Sequence, residues 1–263
     1  MKQLLLCLLF LWMASALSAQ DNVPLRISVE AGGADWSGEP DTRWNIRQDV
    51  NSYGANLYAD PVHAGSEGSF QYIGIKPEFT LWKGRVYVGT GLRFSTAYEF
   101  LGNISEGEQS YFFLRRQGHE AVEFYRIRSI EETVNHLSVP LEISLVVLGY
   151  RSNWQLYVKA GSEIGMKVYG KTHIRFRNPE MNPYAQELLD DADIRLNRFY
   201  STLYGTIGLR LTQRNGIRYS AEVIIPSRYL TKDNFSVVTP QEFSGAQFSI
   251  SFPIQLFIGK SSF

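Results

Sequence analysis

Strand-length stretches in which apolar and polar residues strictly alternate recur along most of this chain, and this feature limits its fold more than any other. A strand with one apolar and one polar face must place the apolar face against lipid or a sealed core. Residues 25–36 set Leu25, Ile27, Val29 and Ala31 against Arg26, Ser28 and Glu30. Residues 70–82 set Ile73, Ile75, Phe79 and Leu81 against Tyr72, Gly74, Lys76, Glu78 and Thr80. Residues 85–100 resume the pattern with Val86, Val88, Leu92 and Phe94 on one face and Tyr87, Gly89, Gly91, Arg93 and Ser95 on the other.

The rhythm continues through a long segment, 122–148, whose second half places Leu137, Val139, Leu141, Ile143 and Leu145 on one face. A segment of that length exceeds a bilayer crossing, so its first half is expected to project beyond the lipid. Residues 154–169 oppose Leu156, Val158, Ala160, Ile164 and Met166 to Tyr157, Lys159, Gly161, Glu163, Gly165 and Lys167. Segments at 198–211 and 217–229 follow, and the last alternation carries Phe248, Ile250, Phe252, Ile254, Leu256 and Ile258.

Between these eight segments lie two kinds of connection. Three are short: Lys83-Gly84, residues 149–153, and residues 212–216, where Asn215-Gly216 is a hairpin signal. Four are long and polar, at about 37–69, 101–121, 171–197 and 230–244. Short and long connections that alternate around an even number of strands predict an all-β fold, a single antiparallel up-and-down transmembrane β-barrel of eight strands. Both termini then lie on the short-turn side, which in outer-membrane barrels is the periplasmic side. An acidic stretch in the third long loop, Glu187, Asp190, Asp191 and Asp193, reads as a short solvated helix over 184–196.

The first nineteen residues read as a cleaved secretory signal. Lys2 precedes the apolar run Leu4–Trp12, and the small residues Ala14, Ser15, Ala16, Ser18 and Ala19 follow. Residues 20–263 then form the barrel domain. The one cysteine, Cys7, falls inside the signal, which excludes disulfides and thiolate chemistry from the mature chain. Without Lys2 the chain holds 25 basic and 26 acidic residues, a balance that gives nucleic acid no electrostatic foothold. Aromatic residues make up 14% of the chain, which suits interfacial girdles.

One hairpin carries a family likeness. Asn135-His136-Leu137-Ser138-Val139-Pro140-Leu141-Glu142-Ile143 and Leu156-Tyr157-Val158-Lys159-Ala160-Gly161-Ser162-Glu163-Ile164-Gly165 resemble the paired strands of the PorT-like outer-membrane β-barrel family. The matching positions are Leu137, Val139, Pro140, Leu141, Gly161 and Gly165, while His136 and Ser138 depart from the usual aromatic and Glu. The resemblance implies an outer-membrane protein with a role in protein secretion or envelope assembly. It implies as partners outer-membrane lipid, the barrel-assembly machinery and secretion or envelope proteins. Phe263 resembles the terminal aromatic recognised during barrel assembly.

An eight-stranded barrel is just wide enough for side chains to fill it. The inward positions hold Arg26, Lys76, Arg93, Lys159, Lys167 and Arg210 with Glu30, Glu78, Glu142, Glu163 and Glu222. Such charges are expected to pair across the lumen, because unpaired buried charge is costly. The competing use of the same residues is a narrow ion path. A second competing reading is a lipid A-modifying enzyme of the deacylase type, since His136 and Ser138 have the spacing of a histidine-activated serine with Glu142 as acidic partner. The alternation turns all three into the lumen, which favours a non-enzymatic barrel. His63, His119 and His173 are scattered, so no metal or other cofactor is expected. Trp44, Tyr53, Tyr58, Tyr111, Phe112 and Phe113 in the first two long loops read equally as aromatic contact anchors or as caps on the barrel mouth.

Overall fold

The computed structural model describes residues 25–40, 46–48, 64–103, 112–115, 124–191, 197–231, 235 and 237–254. Eight long strands form the wall: β1 (Leu25–Pro40), β2 (Ala64–Leu81), β3 (Val86–Thr90, continued by Leu92–Asn103), β4 (Phe124–Leu148), β5 (Trp154–Phe176), β6 (Phe199–Thr212), β7 (Arg218–Tyr229) and β8 (Val238–Pro253). Each pairs antiparallel with the next, and β8 pairs back onto β1 from Arg26–Pro253 to Pro40–Val238. The sheet is therefore a closed up-and-down barrel, which leaves no edge in its wall. The two pieces of β3 meet at Gly91, where a β-carbon would lie 2.2 Å from the Ile75 carbonyl oxygen.

The outer wall carries a continuous apolar belt. Leu137, Val139, Leu141, Ile143, Leu145 and Val147 on β4 face outward, as do Ile73 and Ile75 on β2, Ile207 and Leu209 on β6, and Val223 on β7. About eleven residues at about 3.3 Å each, tilted near 45°, span about 25 Å, the height of a membrane barrel's lipid-facing band. Trp82, Tyr150 and Trp154 stand exposed at the short-turn end of that belt, where amphipathic rings favour the membrane interface.

The short turns explain themselves locally. At Gln213–Ile217 the Gly216 amide donates to the Gln213 carbonyl at 2.9 Å and the Gln213 amide to the Ile217 carbonyl at 2.8 Å. Only Gly216 takes a positive φ there, +83°. The Asn215-Gly216 signal thus produces a type I turn with a glycine bulge, not the two-residue type I′ turn.

Strands outrun their expected limits at the long-loop end. β2 starts at Ala64, β5 continues to Phe176, and β8 starts at Val238. Above the belt the apolar side of β1, β3, β4, β5 and β8 switches from outside to inside: Trp36, Leu101, Ile130, Ile174, Phe176 and Phe243 point inward and are buried. Polar Asp35, Arg175 and Glu242 replace the lipid-facing residues outside. The wall there behaves as a small water-soluble barrel with its own core.

Two connections differ from the solvated loops expected. The third carries a 3₁₀ turn (Pro179–Tyr184) and a helix, α1 (Ala185–Asp191), whose Leu188 is buried in the apolar core. Within the described residues the helix covers Ala185–Asp191 of the expected 184–196, and Ala185 and Leu189 pack beside Leu188. In the fourth connection Phe235 and Val237 are likewise buried in the barrel mouth. The segments Ile46–Gln48 and Phe112–Arg115 pair with each other, and the second pairs with β4, continuing the sheet beyond the barrel.

Candidate functional site

Among the described residues polar chemistry concentrates in the lumen, which is stratified. Its middle layer is an ion network. Glu30 Oε1 accepts from Arg93 Nε at 3.0 Å and Nη2 at 2.7 Å, and its Oε2 lies 2.7 Å from Lys76 Nζ. Glu142 is bonded to Lys76, lies 3.3 Å from Arg93 Nη2 and 3.4 Å from Lys159 Nζ, and accepts from the Tyr204 hydroxyl at 2.6 Å. Arg93 also bonds Glu163, which accepts from Tyr200 at 2.5 Å. Lys159 lies 2.5 Å from Glu222, whose other oxygen accepts from Tyr157 at 2.7 Å. Every charge in this layer is buried and every one has an opposite partner, the condition for carrying ions out of water without prohibitive cost.

Tyrosines seat this layer through glycines on neighbouring strands. Tyr204 is the register partner of Gly161, Tyr200 of Gly165, Tyr157 of Gly208 and Tyr72 of Gly32. A β-carbon at each of these glycines would fall within 2.2–2.6 Å of the tyrosine ring. Gly161 and Gly165, singled out by sequence resemblance, are therefore the flat seats on which Tyr204 and Tyr200 lie while their hydroxyls reach Glu142 and Glu163. Leu137, Val139 and Leu141 of the same motif face outward on the belt, and Pro140 is buried.

Above the ions sits an aromatic layer. Trp36 packs on Phe235 at 5.2 Å and Phe70 at 5.9 Å, and Tyr229 on Phe235 at 5.1 Å and Phe243 at 5.2 Å. Glu99, not foreseen from the sequence, is fully buried here. One of its oxygens accepts from the backbone amides of Val237 at 3.0 Å and Val238 at 2.9 Å. Lys167, at the rim of this layer, pairs with Glu132 at 3.0 Å and is only partly buried. Between the ionic and aromatic layers lies a cavity of about 30 Å³ touching Arg93, His136, Glu163, Tyr200, Tyr204 and Phe235. That space is enough to hold ordered water.

His136, Ser138 and Glu142 do not assemble into a hydrolytic triad. The His136 ring stands edge-on to Tyr200 at 4.8 Å and Phe235 at 6.1 Å. Ser138 Oγ donates to the Arg93 carbonyl at 3.3 Å, and Glu142 is taken up by Lys76, Arg93, Lys159 and Tyr204. All three face the sealed lumen, away from the lipid face from which an acyl chain would arrive.

The remaining predicted residues, Arg26, Glu78 and Arg210, occupy a third layer at the short-turn end, together with Arg218 from the polar face of β7. Trp44, Tyr53, Tyr58, Tyr111, His63, His119 and Phe263, the side chains of Phe112 and Phe113, and the expected signal lie outside the described residues. Among the described residues no group of three or more His, Cys, Asp or Glu is placed to hold a metal.

No family model matches the chain, and no curated protein matches it. Similar solved structures include the following three. The outer membrane protein W of E. coli is 14% identical with a TM-score of 0.33, covering 89% of this chain and 100% of that one. Ail of Yersinia pestis in complex with the heparin analogue sucrose octasulfate is 10% identical with a TM-score of 0.29, covering 87% and 96%. The translocator domain of the autotransporter NalP from Neisseria meningitidis is 9% identical with a TM-score of 0.29, covering 95% and 96%.

Proposed function

We propose that this chain is a closed outer-membrane β-barrel protein that acts as a non-enzymatic interaction component, through its long connections or its short turns, in protein secretion or envelope assembly. The observation that carries this reading is the filled lumen. Glu30, Glu142, Glu163 and Glu222 with Lys76, Arg93 and Lys159 occupy the bore, and the aromatic layer stacks above them. A bore occupied in this way leaves the two ends of the barrel as the surfaces available for work. The PorT-like hairpin supports secretion or envelope assembly as the setting. The apolar belt and the short-turn girdle support an outer-membrane location with the long connections outside and both termini in the periplasm.

The test is a mild-detergent affinity isolation of the tagged barrel from outer membranes, paired with planar-bilayer recording on the same preparation. Stoichiometric recovery of a secretion or envelope protein with no stepwise conductance is the expected outcome. Recovery of the barrel with lipid alone would remove the interaction reading, and stable conductance steps would replace it with a pore.

A further inference from the structure

Charge is unevenly distributed along the lumen. The middle layer has three cations against four carboxylates, and the aromatic layer has Lys167 against Glu99 and Glu132. The short-turn end reverses the balance: Arg26, Arg210 and Arg218 gather around Tyr87 with Glu78 as the acidic member of the group. Among the described residues none of these three guanidiniums has a carboxylate at ion-pair distance. Every cation of the middle layer does.

Their hydrogen bonding is equally incomplete. Arg26 is satisfied by backbone and serine, donating to the Ser251 carbonyl and hydroxyl at 3.0 Å each and to the Gly216 carbonyl. Arg210 donates from Nε to Ser220 at 3.4 Å, and its Nη1 finds no partner among the described residues. Arg218 leaves both Nε and Nη1 without one, and the Thr80 hydroxyl, opposite Tyr87 in the register, is in the same condition. Arg210 is almost fully buried, so its free edge cannot be excused by bulk solvent.

The rings fix where those edges point. Arg210 lies 4.4 Å from the Tyr87 centroid and 4.5 Å from that of Tyr157, and Arg218 lies 4.9 Å from Tyr87. Stacking on a ring holds a guanidinium by its face and leaves its N–H edge free for an oxyanion, the geometry that suits bidentate phosphate recognition. Arg218 is half-buried overall, but its Nε and Nη1 are covered, so a ligand entering from the short-turn mouth reaches them by displacing the side chains that lie over them.

We propose that this arginine cluster is a binding site for a phosphate group, entered from the short-turn end of the barrel, with Arg210 and Arg218 as its donors and Arg26 as supporting charge. The group comes either from a soluble phosphate compound or from a lipid headgroup at that membrane face.

The test is calorimetric titration of inorganic phosphate into the full-length barrel in detergent, against Arg210→Gln, Arg218→Gln and the exposed turn variant Arg151→Gln. The expected result is saturable binding to the wild type, unchanged in Arg151→Gln and weakened about tenfold or more in each of the other two. If Arg210→Gln fails to fold, as judged by loss of its heat-modifiable gel shift, the half-buried Arg218→Gln carries the comparison. Repeating the titration in nanodiscs separates the sources: binding suppressed by phosphatidylglycerol but not by zwitterionic lipid assigns a headgroup, and equal binding in both assigns a soluble phosphate. Absence of saturable binding to the folded wild type, or binding unaffected by both lumen variants, overturns the proposal and leaves water as the partner of these donors.

Discussion

Tyr204 lies so flat across Gly161, its partner on the neighbouring strand, that a β-carbon at Gly161 would sit 2.5 Å from the ring's Cζ. The same ring delivers its hydroxyl to Glu142 at 2.6 Å. A seat in the wall and a charge in the bore are thus one device. Gly161→Ala is expected to push the ring off its seat and cost about 1–3 kcal/mol of folding stability, the range for overpacking. Urea titration of the detergent-folded barrel measures it. The Gly161→Ala, Tyr204→Ala pair should be clearly less than additive, since the small ring-free side chain removes the clash. Additivity would mean that the two residues do not interact.

Glu142 joins Lys76, Arg93 and Lys159, and each of these keeps another carboxylate when Glu142 is neutralised: Glu30 for Lys76, Glu30 and Glu163 for Arg93, and Glu222 for Lys159. Glu142→Gln is therefore expected to cost about 1–3 kcal/mol, through weaker hydrogen bonds to the groups it now accepts from. Replacing both Glu142 and Lys76 by methionine should cost more than Glu142→Gln alone, because Glu30 then loses its lysine and the Tyr204 hydroxyl its acceptor. Equilibrium unfolding in detergent decides the order of the two.

The membrane-facing belt was legible in the sequence because lipid leaves a simple mark: six outward apolar residues at alternate positions from Leu137 to Val147, with Ser138, Pro140, Glu142, Ser144 and Val146 between them. Strand ends at the long-loop side were not legible. There Asp35 faces out and Trp36 in, so the phase of the apolar face inverts within one strand, and reading for a single phase stops at the inversion. Leu188, Phe235 and Val237 escaped notice for a related reason: the apolar patches Leu188-Leu189 and Phe235–Val238 are short and sit in polar connections, and only tertiary closure of the barrel mouth gives them a core to enter. Arg218 shares the polar face of its strand with Ser220 and Glu222, so the alternation carried it as luminal although only Glu222 was named.

Ile143 lies at the middle of the outward row on β4 and is 54% exposed in the isolated barrel. If the belt faces hydrocarbon, Ile143→Arg should cost about 2–4 kcal/mol in lipid bilayers. The same change at Glu242, outside the belt and paired with Arg228 at 2.6 Å in an exposed position, should cost well below that, about 0.2–1 kcal/mol. Folding yields into phosphatidylcholine vesicles compare them. Equal costs would place the belt outside the hydrocarbon.

Glu99 ties the fourth connection to the wall. It reaches from β3 to the amides of Val237 and Val238, where β8 begins, and just before them Phe235 enters the aromatic layer against Trp36 and Tyr229. Removing the carboxylate leaves two buried amides without an acceptor, at about 1–3 kcal/mol for an unsatisfied group. Glutamine keeps an acceptor oxygen but loses the charge that strengthens both bonds. Limited proteolysis of the folded barrel should therefore cut within residues 230–237 fastest in Glu99→Ala, at an intermediate rate in Glu99→Gln and slowest in the wild type. Phe235→Ala should raise the rate with Glu99 intact, because the ring and the carboxylate hold neighbouring points of one segment. If all four proteins are cut alike, the connection is held by something other than Glu99 and Phe235. If only Phe235→Ala is sensitive, the aromatic layer holds the segment and the carboxylate merely accepts its amides.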